Sequence, residues 1–103
     1  MTKRKGGRMV LMGIRERLVE QYNDEDLLFA DGFDEAIIGV SLGGTYRTVY
    51  DARLMVAKLI REDEMDYAGA WEYLDFNTFQ AHVGERTPIY VNMERANPQC
   101  CYN

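Results

Sequence analysis

The first apolar pattern along the chain has helical spacing. Ile14, Leu18 and Tyr22 lie one turn apart, which predicts an amphipathic helix over residues 13–22 with a single apolar stripe. The next segment, NDEDLLFADG, carries its acids early and closes on a glycine, as a short helix does between its start and stop signals. A second, shorter helical turn, capped by the leading Asn or Asp, is therefore expected.

The spacing then changes to the alternation of a β-hairpin. The segments AIIGVSL and TYRTVY flank Gly43-Gly44, and two glycines supply the positive φ angles of a tight turn. A two-residue turn here predicts that three facing pairs point to the core: Leu42 with Thr45, Val40 with Arg47, and Ile38 with Val49. The other face would carry Ser41 with Tyr46, Gly39 with Thr48, and Ile37 with Tyr50. A slip of one residue exchanges the two faces.

Two capped helices follow the hairpin. Asp51 is the predicted cap of the first, whose apolar stripe runs from Ala52 to Ile60 at i, i+3, i+4, i+7 and i+8. Asp66 is the predicted cap of the second. Its core face is expected to hold Tyr67, Ala70, Trp71 and Leu74.

The remaining pattern predicts one more helix and one strand. The segment DFNTFQAHV is expected to form a short helix with its own cap at Asp75 or Asn77. Trp71 and Phe76 are the largest core candidates of this region. Pro88 is predicted to start a strand, because a missing backbone donor is tolerated there and the segment after it alternates.

The order of these elements predicts an α+β fold. We expect a two-layer sandwich with a three-stranded, mainly antiparallel sheet and helices packed on one face, in the order α-β-β-α-α-β. The last strand is placed beside residues 37–42, because the apolar run AIIGV is typical of a central strand. Residues 45–50 would then form an edge without a protecting proline, so the chain is expected to be a monomer or a homodimer formed through this edge.

Charge divides the chain into a basic arm and an acidic body. The net charge is −5, and four of the 12 basic residues fall within residues 1–8, which leaves 8 basic against 17 acidic residues, or −9, for the remainder. Such a body repels nucleic-acid phosphates. We predict a flexible basic arm at residues 1–12, a single domain at residues 13–93 and a loose tail at residues 94–103. The arm is a nucleic-acid tether, a solvated tail, or a stretch upstream of a true start at Met9 or Met12.

Candidate chemistry is sparse. His82 is the only histidine and Ser41 the only serine, and Ser41 lacks the G-x-S-x-G context of an exposed nucleophile. Cys100 and Cys101 are neighbours, so neither a spaced zinc site nor a disulfide framework is expected, and a reducing cytoplasm fits. We predict no catalytic constellation, no metal, no cofactor and no membrane span. A proton carrier built on His82 is the enzymatic alternative.

Several motifs in fixed order carry a family resemblance. DGFDEAIIGV, Tyr50-Asp51 and Met65-Asp66-Tyr67 at helix starts, EYLDFN and VGERTPIYV resemble a family of small uncharacterised proteins from tailed bacteriophages and prophages, over residues 14–91. Departures from the family pattern fall at Gln80, at His82 and at the glycine pair. The resemblance implies a phage-encoded accessory protein of the host cytoplasm, of host-takeover or anti-defence type, with no catalytic residues to carry over.

The leading functional hypothesis is therefore binding of a host or phage protein through an acidic, tyrosine-rich face. The candidate contacts are Tyr46, Tyr50 and Trp71, with Asp31, Asp34 and Glu35 as a charged rim. An alternative is nucleic-acid binding through the arm together with two later arginines. Its candidate residues are Lys3, Arg4, Lys5, Arg8, Arg47 and Arg53.

Overall fold

The computed structural model describes residues 13–94, and predictions for the arm and for the tail beyond this range lie outside the described residues. The elements are α1 (Ile14–Gln21), a 3-10 turn (Asp34–Ala36), β1 (Ile37–Ser41), β2 (Arg47–Asp51), α2 (Ala52–Asp63), α3 (Tyr67–Leu74), a π turn (Asp75–Phe79) and β3 (Ile89–Val91). The α+β class and the order α-β-β-α-α-β are confirmed. No helix within residues 13–94 has the length and apolar character needed to cross a bilayer.

The three strands form a mixed sheet in the order β1-β2-β3. β1 pairs antiparallel with β2, and β3 pairs parallel with the other side of β2. The prediction that the first strand is central was wrong, because α2 and α3 form the long crossover that a parallel partner of β2 requires. The predicted dimer edge at residues 45–50 was wrong for the same reason, since β2 is paired on both sides.

The hairpin has a longer loop and a different register from those predicted. Ser41 pairs with Arg47 and Val40 with Thr48, which leaves residues 42–46 as the loop, and the Ser41 hydroxyl accepts a hydrogen bond from the Arg47 N–H at 3.2 Å. Gly43 and Gly44 do adopt positive φ angles, at 81° and 123°. A register shift between the pairs Ile37–Tyr50 and Gly39–Val49 leaves Ile38 as the extra residue of a bulge.

This register exchanges the two predicted faces of β2, so that Thr48 and Tyr50 are fully buried. In β1, Ile38 is exposed, as is Leu42 in the loop, whereas Val40 packs against the core as predicted. Two hydrogen bonds make the burial of polar groups possible: the Thr48 hydroxyl donates to the Leu28 carbonyl at 2.8 Å, and the Tyr50 hydroxyl accepts from the Ala30 N–H at 2.7 Å.

The segment that supplies these partners is not helical. Residues 22–25 form a turn and residues 26–30 have no regular helix, so the predicted short helix was wrong here. Because its backbone groups bond to side chains of β2, this stretch serves as a cover over the sheet.

Burial raises the pKa of the Tyr50 hydroxyl to about 12.

α1, α2 and α3 lie where they were predicted, and the predicted caps of α2 and α3 are confirmed. Tyr67 is 66% exposed, so its assignment to the core face of α3 was wrong. The Asp51 carboxylate accepts a hydrogen bond from the Arg53 N–H at 2.9 Å, and the Asp66 carboxylate accepts one from the Gly69 N–H at 2.7 Å. The core lies between the helices and the face of the sheet that carries Tyr50. Its buried cluster is Leu18, Ala36, Ile37, Tyr50, Met55, Val56, Leu59, Ala70 and Leu74.

α3 passes without a break into the π turn, so the prediction of a separately capped helix there was wrong. The wider turn holds one more residue than an α-helical turn, and each residue rotates the chain by roughly 100°. Phe79 thereby reaches the core side, where its ring lies 6.2 Å from that of Trp71 and 5.2 Å from that of Tyr90. Phe76 remains on the outward side and is 75% exposed, so its assignment to the core was wrong.

Candidate functional site

The aromatic residues predicted to contact a partner occupy three different environments. Tyr50 lies in the core with no exposed surface, so it cannot touch a partner, and that prediction was wrong. Tyr46 is half-buried and packs edge-on against Tyr22, with ring centroids 5.5 Å apart. Trp71 is half-buried between Tyr67 and Phe79. These three rings therefore do not make one exposed tyrosine-rich face.

Arginines pair with the predicted acidic rim. Arg15 contacts Asp34 at 2.9 Å and Asp31 at 3.4 Å, and Arg61 contacts Glu35 at 2.6 Å. Partly exposed pairs of this kind contribute little to stability, but they offset the negative charge that a partner would meet. The rim is consequently a mixed-charge surface that includes Arg15 of α1 and Arg61 near the end of α2. These arginines reduce its attraction for a basic partner.

A different exposed surface lies on the outward side of α3 and the π turn. We call it the outward groove; it has a volume of about 360 Å³, and its lining residues are Met65, Asp66, Gly69, Glu72, Tyr73 and Phe76. Phe76 is 75% exposed and Tyr73 is 44% exposed. Gly69 has no side chain, so the helix backbone forms the floor between these rings and the carboxylate of Asp66.

Two side-chain hydrogen bonds hold the end of this surface in shape. The Asn77 amide donates to the Tyr73 carbonyl at 2.9 Å, and the Gln80 amide donates to the Asp75 carboxylate at 3.3 Å. The first of these satisfies a carbonyl near the transition from α-helical to π-helical bonding. The backbone that presents Tyr73 and Phe76 is therefore fixed by local contacts.

The groove lies in an acidic stretch of the described chain. Residues 61–76 contain six acids and one arginine, and all six acids are exposed. Hydrogen bonds from Arg61 and then Lys58 lower the pKa of the Glu62 carboxyl, so this acid is engaged on α2. Asp66 caps α3. Glu72 lines the groove, and Asp75 directly precedes Phe76 in the sequence. An apolar centre with an acidic border favours an apolar ligand that carries positive charge at its margins.

A second concave surface lies between β3, α3 and the residues after the π turn. We call it the basic cleft; it measures about 690 Å³, and its lining includes Arg47, Trp71, Phe79, His82, Tyr90 and Asn92. His82 is exposed and Arg47 is half-buried. No Asp or Glu belongs to the lining, so His82 has no carboxylate partner inside the cleft.

Thr87 shapes one wall of the basic cleft. Its hydroxyl donates to the Gly84 carbonyl at 2.7 Å and accepts from the Val83 N–H at 2.8 Å, which closes a tight loop. Its carbonyl accepts a hydrogen bond from Arg47 Nε at 2.6 Å. The guanidinium is therefore attached to the loop by one nitrogen, and its plane is held at the cleft.

The two arginines of the nucleic-acid alternative meet at this same cleft. Arg47 lines it, and Arg53 Nε donates to the side-chain oxygen of Asn92, another lining residue, at 3.2 Å. Lys3, Arg4, Lys5 and Arg8 lie outside the described residues.

Other candidate chemistry is not assembled. The Ser41 hydroxyl is engaged by the Arg47 amide, and Ser41 does not belong to the lining of the cleft that holds His82. Within residues 13–94, no three His, Cys, Asp or Glu side chains converge as a metal site would require.

Gly69, Tyr73 and Phe76 were not predicted to form a surface. Their spacing contains the signal, because positions 69, 72, 73 and 76 repeat at three or four residues on the side of α3 opposite Ala70 and Leu74. Comparison with known proteins found no matching family model, no similar curated protein and no similar solved structure.

Proposed function

We propose that the protein acts by binding another protein through the outward groove. The observation that carries this proposal is the exposure of Phe76 and Tyr73 side by side on a backbone held by local hydrogen bonds. A single exposed apolar residue is ordinary on a protein surface. Two aromatic rings around a glycine floor, inside an acidic border, form the kind of anchor site that aromatic-rich interfaces use.

The groove also specifies the chemistry of the partner. An apolar side chain of the partner would fill the space above Gly69, between Tyr73 and the capping carboxylate of Asp66. Lys or Arg side chains on either side of it would face Glu72 and Asp75. The proposed partner segment is therefore amphipathic and basic, and an amphipathic helix is the common form of such a segment.

The biological setting of the proposal comes from the sequence resemblance. Residues 14–91 resemble small proteins of tailed bacteriophages, so we place the protein among phage-encoded accessory factors of host-takeover or anti-defence type. In that setting the partner is a bacterial or phage protein, and the site of action is the host cytoplasm.

The test compares three tagged proteins in lysates of a bacterial host under identical conditions: the native chain, Phe76→Ala and Leu42→Ala. Phe76 and Leu42 are 75% and 69% exposed, so removing either side chain takes away little packing. The expected result is one stoichiometric protein that is retained by the native chain and by Leu42→Ala and is lost with Phe76→Ala. Equal retention by all three proteins would contradict the groove as the binding surface.

Purified components then provide the quantitative test. Truncating an aromatic anchor typically costs about 2 kcal/mol or more, which is roughly a 30-fold rise in Kd. Glu72→Gln is expected to lower the association rate and to weaken its dependence on salt, because it removes a charge at the border. Glu20→Gln on α1 is the matched control, since Glu20 is an exposed acid of another helix.

A further inference from the structure

The basic cleft differs in charge from the rest of the molecule. The chain carries 17 acids, and all six acids of residues 61–76 are exposed, yet none of the acids lines this cleft. Arg47 and His82 supply the basic groups of the lining, and Gln80 and Asn92 supply amides. A concave surface with cationic and amide donors and no carboxylate is complementary to an anion.

Arg47 is positioned to receive that anion. Its Nε is used by the Thr87 carbonyl at 2.6 Å, and the guanidinium forms no ion pair with a carboxylate of residues 13–94. The remaining N–H donors of a guanidinium lie in one plane and match two oxygens of a phosphate. Because the loop fixes the side chain in advance, little rotamer freedom is lost when a ligand binds.

An aromatic wall faces the same space. The rings of Trp71, Phe79 and Tyr90 follow one another with centroid distances of 6.2 Å and 5.2 Å, and all three line the cleft. Trp71 is only half-buried, so part of its surface is available to a ligand. A flat heterocycle gains stacking energy against such a wall, whereas a bare anion gains nothing from it.

From these features we infer that the basic cleft binds a nucleoside phosphate. Its phosphate is held by Arg47 with His82, and its base lies against the Trp71 wall. Gln80 Nε2 and Asn92 Oδ1 are bonded to Asp75 and Arg53, so the Gln80 oxygen and the Asn92 nitrogen are the amide atoms available to the edge of the base. The volume of about 690 Å³ lies within the range of small-molecule pockets. Either a free nucleotide or one unit of a single strand presents this combination of ring and phosphate.

The only tryptophan in the sequence lies in the cleft, so its fluorescence reports on binding directly. The native chain is titrated with AMP, with adenosine, with inorganic phosphate and with a short oligothymidylate, and each titration is repeated by calorimetry. The inference expects saturable binding of AMP that is tighter than the binding of adenosine or of phosphate, because the two halves of the ligand contact different residues. Tighter binding of the oligothymidylate than of AMP would support a strand as the natural source of the ligand, and the reverse order would support a free nucleotide.

Matched variants assign the contacts. His82→Ala and Arg47→Gln are each expected to weaken AMP binding about tenfold or more, since each removes a side-chain donor to the phosphate. His82 is exposed, so its variant tests binding without a loss of packing, and Arg17→Gln removes an exposed arginine of α1 as the control. The inference is overturned if neither AMP nor the oligothymidylate binds saturably, if phosphate alone binds as tightly as AMP, or if Arg17→Gln weakens binding as much as Arg47→Gln.

Discussion

The Tyr50 hydroxyl accepts a hydrogen bond from the backbone N–H of Ala30 at 2.7 Å, and this contact joins the central strand to the extended segment that covers it. Two residues earlier in β2, the Thr48 hydroxyl donates a hydrogen bond to the Leu28 carbonyl of the same segment at 2.8 Å. Both side chains are fully buried. A stretch without regular secondary structure is thus held over the sheet by two side-chain bonds from one strand.

Replacement of Tyr50 by Phe is predicted to destabilise the fold. Phenylalanine keeps the ring and its packing but leaves the half-buried Ala30 N–H without its acceptor, which costs about 1 to 3 kcal/mol. Urea unfolding followed by circular dichroism measures the change. Tyr67→Phe is the control, because Tyr67 is 66% exposed and is expected to change the free energy of unfolding by less than about 0.5 kcal/mol. Equal effects of the two variants would refute the role of the bond.

The stability of the protein is predicted to fall with rising pH between about 10 and 12. Burial raises the pKa of Tyr50 from 10.0 to about 12, so in this window the unfolded chain loses its phenolic proton before the folded chain does. The contribution is fully present below pH 10 and disappears as pH passes the folded pKa, and it amounts to about 2 to 3 kcal/mol. Burial also raises the pKa of Tyr90, which acts in the same direction. Free energies of unfolding measured across this window are expected to fall more steeply for the native chain than for Tyr50→Phe, and parallel curves would contradict the assignment.

Local signals in the sequence were enough to predict α1, α2 and α3, but not the two shorter helices that were also expected. An acid at a helix start has its effect within the first turn, so Asp51 and Asp66 were predictable as caps without knowledge of the fold. The apolar stripe of α2 likewise predicted its buried residues from Ala52 to Leu59, although Ile60, the last residue of the predicted stripe, is 39% exposed. These features depend on neighbours three or four residues away, which a sequence pattern contains.

The sheet depended on contacts that the pattern does not contain. Thr48 and Tyr50 carry hydroxyl groups, so the sequence pattern predicts that their face of β2 is the polar one. Their hydrogen bonds to Leu28 and Ala30 allow that face to be buried instead. Phe76 was assigned to the core by its size, although its spacing with Gly69 and Tyr73 already places it on the outward side of α3. The inward position of Phe79 depends instead on the π turn. A single inserted residue in a helical turn leaves no mark in a periodicity of 3.6.

The hairpin loop is predicted to require glycine at residue 44. Gly44 has a φ of 123°, a conformation that side chains with a Cβ rarely adopt, so Gly44→Ala is expected to cost about 1 to 3 kcal/mol. Apart from residue 44 and its two chain neighbours, no atom lies within 4 Å of the position of an added Cβ, so the cost would come from backbone strain. Thr45→Ala in the same loop is the control and is expected to be nearly neutral, since Thr45 does not have a positive φ. Thermal denaturation of both variants checks the difference, and an unchanged Tm for Gly44→Ala would contradict the strain.

Gly69 links the stability of α3 to the shape of the outward groove, and a double-mutant cycle can separate the two roles. Alanine favours a helix over glycine by about 1 kcal/mol, but a Cβ at residue 69 would lie 2.7 Å from the capping oxygen of Asp66. Gly69→Ala is therefore predicted to gain little in the native chain, because the cap must shift and a cap is itself worth about 1 kcal/mol. In a chain that already carries Asp66→Ala, the same change is expected to stabilise by close to the full 1 kcal/mol. Identical effects in the two backgrounds, measured by urea unfolding, would show that the carboxylate does not restrict the position. The added Cβ would also occupy part of the outward groove between Tyr73 and Asp66. Gly69→Ala is therefore expected to weaken binding of the proposed partner even though the helix is intact.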